Sequence, residues 1–193
     1  MIRHLVLPAI VLTGALGCRD KATRDAATEH YGLGRPATSA EIATRDVDVG
    51  PDGAGLPPGH GSVAEGASLY AAKCASCHGP EGQGQLPTYP RLIGRDSIAE
   101  GFPFARDPRL VRTIGNYWPY ATSLFDYVRR AMPQLQPGSL TDDQVYAITA
   151  FLLSRNAVIP SNATLDSATL AAVKMPYVGR FVADDRRGGR EVK

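Results

Sequence analysis

Aromatic residues and excess charge are both scarce in this chain of 193 residues. Phe, Trp and Tyr make up 7% of it, whereas it contains 20 Gly and 15 Pro. Aromatic side chains supply much of the apolar bulk of a core, so the composition is compatible with a large buried prosthetic group. Lys and Arg number 21 against 19 Asp and Glu, and basic residues do not alternate with aromatics. The composition therefore argues against nucleic-acid binding.

The apolar run at residues 5–16 is too short to cross a membrane, because a spanning helix requires about 20 residues. Charged residues precede this run and small residues follow it. That order is the pattern of a secretory signal peptide. The sequence therefore predicts that residues 1–17 are a signal peptide and that the mature chain lies outside the cytoplasm, in the periplasm or on the outer face of a membrane.

Cysteine is scarce too, with Cys18, Cys74 and Cys77 in the whole chain, and each has a separate use, so no structural disulfide is predicted. Cys18 ends the tetrapeptide Ala-Leu-Gly-Cys, which resembles the lipobox of bacterial lipoproteins. The resemblance implies lipidation of Cys18, which would anchor the mature chain to a membrane. Leucine usually stands three places before that cysteine, whereas Ala15 stands there in this chain. Ordinary cleavage near Ala15 or Gly17, leaving a soluble protein with a free thiol, is the alternative.

Cys74 and Cys77 belong to the run Cys-Ala-Ser-Cys-His, which is the attachment pattern of a c-type haem. In such a site two thiols add to the two vinyl groups of the porphyrin. Two intervening residues allow one helical turn to present both thiols, and His78 then faces the iron from the same side. The sequence therefore predicts one covalently attached haem c, with Cys74 and Cys77 as attachment points and His78 as an axial ligand.

Two other uses of this cysteine pair are weaker. A redox dithiol of the thioredoxin kind is expected in a βαβ context, which the flanking sequence lacks. A zinc site requires further Cys or His ligands. The chain has no second Cys pair, and His30 and His60 stand isolated in loop sequence.

The sixth ligand of the iron decides what the haem does. Met132 and Met175 are the candidates, because Met1 is lost with the signal peptide. A proline follows each and favours extended backbone at the methionine. Met132 lies between the haem motif and the last predicted helix of the domain, so it is the preferred ligand. The alternative is that Met132 is an ordinary buried methionine of the core. A thioether ligand raises the reduction potential and closes the iron to small molecules.

Other residues are candidates for the haem pocket. Tyr117, Trp118 and Tyr120 form the densest aromatic cluster, and their polar atoms are able to bond haem propionates. Ordinary core packing is the alternative for these three. Arg91 and Arg95 are able to neutralise propionates, although surface positions are more common for arginine.

Local signals predict four helices. Ser62-Val63-Ala64-Glu65 is a capping box that opens a helix leading to the haem motif, and Thr141-Asp142-Asp143-Gln144 opens another that ends at about Asn156. A third helix is expected from about Ser123 to Met132. Asp107-Pro108 predicts a short fourth helix reaching about Thr113. With the apolar spacing of the last helix, these signals predict a haem domain at 62–158. Residues 18–61 are then a lipid-anchored linker or an ordered N-terminal arm, and 159–193 are a C-terminal extension.

The haem motif, Met132-Pro133 and the helix opened by Thr141 together resemble class I cytochromes c. The resemblance implies an all-α fold around one covalently bound haem, here with irregular N- and C-terminal extensions. In that family the first and last helices cross, and the resemblance implies that they cross near Gly66 and Tyr70 in this chain.

Four flanking stretches resemble a narrower group: YGLGRPAT at 31–38, LPPG at 56–59, GNYWPYAT at 115–122 and KMP at 174–176. That group is the cytochrome subunit of periplasmic sulfur (sulfane or sulfite) dehydrogenases. The resemblance implies a partner subunit that carries a molybdenum cofactor, and ordered arms at 31–60 and 160–182. Some members of the group carry two haem motifs, whereas this chain has one.

The sequence therefore predicts an exported monohaem cytochrome that transfers single electrons between redox protein partners. It is an electron carrier and not itself an enzyme. A subunit of a sulfur dehydrogenase or of a membrane respiratory complex is the more specific expectation. A haem peroxidase or gas sensor with an open iron site is the alternative, and ligation by Met132 separates the two.

Overall fold

The structure is a computed structural model that describes residues 33–95, 104, 107 and 109–182. The chain divides into two compact units, Met1–Ile42 and Ala43–Lys193. The predicted signal peptide and Cys18 lie outside the described residues, as do residues 183–193.

The described part of the first unit leads into helix α1 (Ser39–Ala43). The Glu41 carboxylate accepts hydrogen bonds from the Arg35 guanidinium at 2.8 Å and from the Thr38 amide at 2.9 Å. These bonds, the Arg35 bond foremost, lower the pKa of Glu41 to about 2. Since every side chain of residues 33–42 is exposed, local hydrogen bonding and not packing holds this turn.

Two helices cross at the centre of the second unit, α2 (Val63–Lys73) and α5 (Asp142–Arg155). Both begin where the capping boxes predict, with Ser62 and Thr141 as N-caps. In each cap the side-chain oxygen accepts a bond from the third helical amide, which satisfies one donor that the helix itself leaves free.

Gly66 brings the two helices into contact. A Cβ atom on Gly66 would lie 1.9 Å from the carbonyl oxygen of Ala147, so a larger residue would force the helices apart. One turn further along α2, the ring of Tyr70 packs on Phe151 with centroids 5.0 Å apart. The crossing implied for Gly66 and Tyr70 is therefore present.

Helix α4 (Ala121–Ala131) packs on the other side of α5 and begins two residues earlier than the sequence predicts. Phe125 and Tyr146 join the two helices, with ring centroids 4.5 Å apart. Every residue of α5 from Val145 to Leu153 is buried. A helix that is buried all round is a core element, and α5 is the core of this domain.

A short antiparallel sheet joins two segments that are distant in sequence. Strand β1 (His60–Ser62) pairs with strand β2 (Thr164–Asp166), with Gly61 opposite Leu165. Helix α6 (Ser167–Ala171) follows, and a 3₁₀ turn at Val178–Arg180 lies near the end of the described chain. We call β1 together with residues 164–178 the clamp. Its apolar side chains at Leu165, Leu170 and Met175 are buried in the core cluster.

Residues 47–57 lie against the helical domain in the same unit. The amide of Val49 donates to the Asp126 carboxylate at 3.1 Å, and Arg129 donates to the carbonyl of Val47 at 3.1 Å. The Tyr146 hydroxyl donates to the carbonyl of Pro57 at 2.8 Å. These bonds hold the segment on α4 and α5.

One predicted helix is wrong. The described residues between Asp107 and Thr113 form a turn in which Asp107 accepts a bond from the Arg109 amide at 3.0 Å and bonds its guanidinium. The aspartate side chain thus closes a local turn instead of capping a helix. The predicted class I cytochrome c fold is otherwise confirmed: the described chain is mostly helical, and its one sheet has two strands. Within the described ranges, no helix combines the length and apolarity needed to cross a membrane.

Candidate haem site

The haem motif forms one helical turn directly after α2. Helix α3 spans Ala75–His78, and the amides of Cys77 and His78 donate to the carbonyl of Cys74 at 3.1 and 2.9 Å. Cys74 in turn bonds back to Tyr70, so the turn is fixed to the helix crossing. Both cysteines are free thiols and half-buried. One turn therefore presents two thiols and the histidine together.

A backbone carbonyl orients His78. The Nδ1 atom of its ring lies 3.2 Å from the carbonyl oxygen of Pro90. Because a carbonyl only accepts, the proton of the neutral imidazole resides on Nδ1 and the Nε2 lone pair is left for a metal. The ring of Tyr89 stands edge-on to the imidazole, with centroids 6.2 Å apart.

The loop after the motif, residues 79–95, folds back onto it. The buried Tyr70 hydroxyl donates to the carbonyl of Gly79 at 2.9 Å, and the amide of Gly84 donates to the carbonyl of His78 at 2.8 Å. The Gln85 side chain donates to the carbonyl of Ser76 at 3.0 Å. The loop is therefore bonded to the same turn that carries the thiols, and it carries Pro90 to the histidine.

The thiol chemistry separates the uses of the cysteine pair. Burial raises the pKa of the Cys74 thiol to about 11. A redox dithiol requires the opposite, a lowered pKa that yields a thiolate near neutral pH. Among the described residues, no three His, Cys, Asp or Glu side chains are grouped to hold a metal ion.

Met132 ends helix α4. Its backbone is extended, with φ −121° and ψ 148°, as expected for a residue before proline. Its amide still bonds the carbonyl of Val128 at 3.2 Å, so the helix fixes its position. The side chain is half-buried and packs on the core cluster, as do Cys74, Leu92 and Trp118. A half-buried thioether held at a helix end suits a ligand, and the role of Met132 stays a prediction.

Met175 has different surroundings. It is 3% exposed and lies in the clamp. It lines a cavity of about 230 Å³ together with Pro51, Tyr120 and Leu170. These are the surroundings of a core methionine.

The structure places the three predicted pocket aromatics in three different surroundings. Tyr117 packs between Phe104 and Phe181, at 5.0 and 5.8 Å. Trp118 is half-buried and meets Tyr127 of α4 edge-on at 5.9 Å. Tyr120 is 37% exposed at the cavity beside Met175. Of the three, Trp118 is the one packed against the core cluster.

The two predicted arginines lie at the end of the loop. The half-buried Arg91 donates from Nε to the carbonyl of Ile93 at 2.7 Å. Arg95 is exposed and donates to the carbonyl of Ala157 at 3.0 Å. Their contact with a propionate stays a prediction, as does that of the aromatics.

Sequence reasoning missed two contributors to the site. The first is Pro90, whose carbonyl orients His78; a backbone acceptor leaves no pattern in a sequence. The second is Asn156. The sequence predicts it as the end of a helix, but it gives no sign that the Asn156 side chain bonds Leu92 and Gly94 of the loop. A short polar residue at a predicted helix end is the signal that could have indicated it.

The residues present therefore fit a covalently held haem. The thiols of Cys74 and Cys77 stand on one turn, the imidazole of His78 has Nε2 available, and the half-buried thioether of Met132 follows α4.

Comparison with known proteins agrees with this site. The family model described as Cytochrome c matches residues 63–156. The thiosulfate dehydrogenase of Stutzerimonas stutzeri (strain A1501) is 27% identical over 125 residues, which are 63% of this chain and 36% of that protein. The chain thus spans little more than a third of that relative's length.

Among solved structures, the crystal structure of the sulfane dehydrogenase SoxCD from Paracoccus pantotrophus contains a similar chain. The two are 44% identical with a TM-score of 0.68, over 81% of this chain and 73% of that one. This likeness covers more of the chain than residues 63–156, so it extends beyond the haem domain into the flanking segments.

Proposed function

Since this chain belongs to the cytochrome c family, we propose that it transfers single electrons between protein partners outside the cytoplasm. The haem c of this family is covalently attached and supplies exchange between ferrous and ferric iron. The observation that carries the proposal is the turn at Cys74–His78, with the Nδ1 atom of His78 on the Pro90 carbonyl.

Each residue of the site has a defined task in this proposal. Cys74 and Cys77 would hold the haem covalently, and His78 would offer Nε2 to the iron while Pro90 holds the proton on Nδ1. Met132 would supply its thioether as the second protein ligand of the iron. Tyr70, at the crossing of the two helices, bonds the backbone of Cys74 and Gly79 and so fixes the motif. A site held rigidly in this way needs little rearrangement when the iron gains or loses an electron, which favours fast electron exchange.

The similarity to SoxCD and to a thiosulfate dehydrogenase supports a more specific role. We propose that the electron donor is the catalytic subunit of a sulfur-compound dehydrogenase, with a molybdenum cofactor. A membrane respiratory complex is the other candidate partner. Redox encounters bury little surface, so a small patch near the haem suffices for either partner.

The proposed location rests on the N-terminal sequence. We propose export by a signal peptide at 1–17 and lipid attachment at Cys18, which would hold the cytochrome on the outer face of a membrane. Fractionation of cells that express the wild type and Cys18→Ala tests this. We expect wild type in the membrane fraction and the variant in the soluble periplasmic fraction, both carrying haem; equal distribution of the two would exclude lipidation.

The closed site is tested by the absorption spectrum of the reduced protein before and after carbon monoxide is added. We expect the wild type and Met175→Ala to have low-spin spectra that carbon monoxide does not change. We expect Met132→Ala to bind carbon monoxide and to have a lower reduction potential, because a thioether ligand favours ferrous iron. If the wild type binds carbon monoxide rapidly, the iron is open and the peroxidase or gas-sensor function is favoured. If Met175→Ala behaves as predicted for Met132→Ala, the ligand is Met175.

The covalent attachment is tested with the double variant Cys74→Ala/Cys77→Ala. We expect its haem to be removed by acidified acetone, whereas the haem of the wild type and of Cys18→Ala stays on the protein. Haem that resists extraction from the double variant would contradict attachment at these residues.

The partner is tested by affinity purification of the tagged chain from its own cells. We expect molybdenum to co-purify and the haem to become reduced when thiosulfate or sulfite is added. A preparation free of molybdenum that neither compound reduces would exclude the sulfur dehydrogenase and leave the electron carrier in place.

A further inference from the structure

Asn156 is a buried amide at the end of α5, with 2% of its surface exposed. Its Nδ2 atom donates to the carbonyl of Leu152, in its own helix, at 2.8 Å. The other bonds reach the haem loop: Nδ2 donates to the carbonyl of Leu92 at 3.3 Å, and Oδ1 accepts from the amide of Gly94 at 3.0 Å. One side chain therefore joins the core helix to residues 92–94.

The same short segment orients His78 at its other end. Pro90 accepts the Nδ1 proton of His78, and Leu92 follows two residues later. The amides of Leu92 and Ile93 donate to the carbonyl of Gly82 at 2.9 and 3.2 Å, which closes the loop on itself. Residues 90–94 thus form a short bridge between the imidazole and the Asn156 amide.

The neighbouring turn leaves room for this amide. A Cβ atom on Gly115 would lie 2.6 Å from Oδ1 of Asn156 and 2.8 Å from the carbonyl oxygen of Gly94. The amide of Ile114 donates to the carbonyl of Leu92 at 3.1 Å, and the Thr113 hydroxyl bonds the carbonyl of Gly94. The segment is therefore held by this turn as well as by Asn156.

We propose that Asn156 is a positioning residue for the haem iron: it holds residues 90–94 so that the Pro90 carbonyl keeps its hydrogen bond to His78. A histidine ligand that donates its other ring proton is more basic and better oriented toward the metal. Loss of the Asn156 amide removes one hydrogen bond from Leu92 and one from Gly94 and thereby weakens the Nδ1 bond. The inference rests on the proposed function, because it concerns the axial ligand named there.

The test compares wild type, Asn156→Ala and Asn156→Asp as full-length holoproteins. Aspartate has the same shape and keeps the acceptor for Gly94, but it loses the donor to Leu92 when ionised. Leu170→Ala is the control. Leu170 is fully buried in α6, so its replacement lowers stability at the clamp and leaves the bonds of residues 90–94 in place. Thermal unfolding is used to choose conditions in which the variants are equally folded.

The main measurement is solvent exchange of the His78 Nδ1 proton by NMR in the reduced protein. We expect roughly tenfold faster exchange in Asn156→Ala, as the loss of one or two hydrogen bonds implies. We expect a higher reduction potential as well, since a less basic imidazole stabilises ferric iron less. Asn156→Asp should change in the same direction, and it carries the comparison if Asn156→Ala does not fold.

If the exchange rate of the His78 Nδ1 proton and the reduction potential of the Asn156 variants match those of Leu170→Ala, the inference is overturned and Asn156 is a structural residue. Failure of the proposed function has a different signature. In that case the wild type itself lacks covalent haem or reversible reduction, whatever residue stands at 156.

Discussion

The chain contains the dipeptide Met-Pro twice, and the two copies lie in regions built differently. Met132 is half-buried where α4 ends and a loop begins. Met175 is buried in the clamp, among side chains of the core cluster. The loops that follow the haem motif and Met132, which we call the haem side, also expose leucines, with Leu86 at 67% and Leu135 at 91%, whereas Leu165 of the clamp is 3% exposed.

The difference teaches that the local sequence of a methionine does not decide its use. A side chain enclosed by the core stabilises the fold through packing, and moving it elsewhere would leave a cavity. A half-buried side chain at a helix end has one face committed to packing and one face available. Met132 is therefore the predicted ligand, whereas Met175 is a buried residue of the clamp core.

The strongest test of this division is Met175→Ala. We expect its free energy of unfolding to fall by about 2–5 kcal/mol, because a buried methionine is replaced by a cavity. We expect the reduction potential to stay that of the wild type. Urea unfolding and a redox titration measure the two quantities, and a changed potential at unchanged stability would reverse the roles of the two methionines.

Gly61→Ala tests whether the clamp is part of the core. A Cβ atom at this position would lie 2.2 Å from the amide nitrogen of Ala147. We expect a loss of about 1–3 kcal/mol in unfolding free energy, as for overpacking. Gly179→Ala is the matched control; it has no atom within 4 Å and should change stability by no more than about 0.5 kcal/mol. Equal effects would show that β1 is loosely attached.

Two buried tyrosines, Tyr70 in α2 and Tyr146 in α5, make the stability of the fold depend on pH. Burial raises the pKa of both Tyr70 and Tyr146 to about 12. The unfolded chain ionises its tyrosines near pH 10, at about the ordinary value. Between pH 10 and 12 the folded chain therefore keeps protons that the unfolded chain loses, so stability is complete below this window and falls through it.

Tyr70→Phe and Tyr146→Phe should each reduce this alkaline fall. At neutral pH each should cost about 1 kcal/mol, since a hydroxyl bond to a backbone carbonyl is lost. Only Tyr70→Phe should also disturb the haem spectrum, because Tyr70 bonds Gly79 beside the motif, whereas Tyr146 bonds Pro57. Unfolding monitored from pH 7 to 12 checks the first point, and a spectral change in Tyr146→Phe alone would contradict the second.

The smallest effect is expected at the exposed leucines of the haem side. Leu135→Ser should change the unfolding free energy by no more than about 0.5 kcal/mol, as for surface substitutions. Leu165→Ser, at a buried position of β2, should cost several times more. Thermal unfolding of the pair measures the contrast, and similar losses would mean that Leu135 packs against the domain in solution.

Much of the haem domain could be predicted from local sequence. The caps at Ser62 and Thr141, the one-turn spacing of Cys74 and Cys77, and the extended backbone before Pro133 depend on a few neighbouring residues. Such features are decided by short-range hydrogen bonds and backbone sterics, which act the same way wherever the segment lies. The predicted helix at Asp107 is wrong because an aspartate side chain caps a turn as readily as a helix, so this local signal does not distinguish the two structures.

By itself, the sequence determined the class of cofactor and the helices around the haem motif, and it predicts Cys74 and Cys77 as the attachment residues. The tertiary structure alone decided that His60 pairs with Asp166, that Met175 enters the core, and that residues 90–94 bond His78 through Pro90 and Asn156 through Leu92 and Gly94. These contacts join residues up to 106 positions apart, and no local pattern encodes them. They form because folding buries apolar area and satisfies buried polar groups over the whole domain at once.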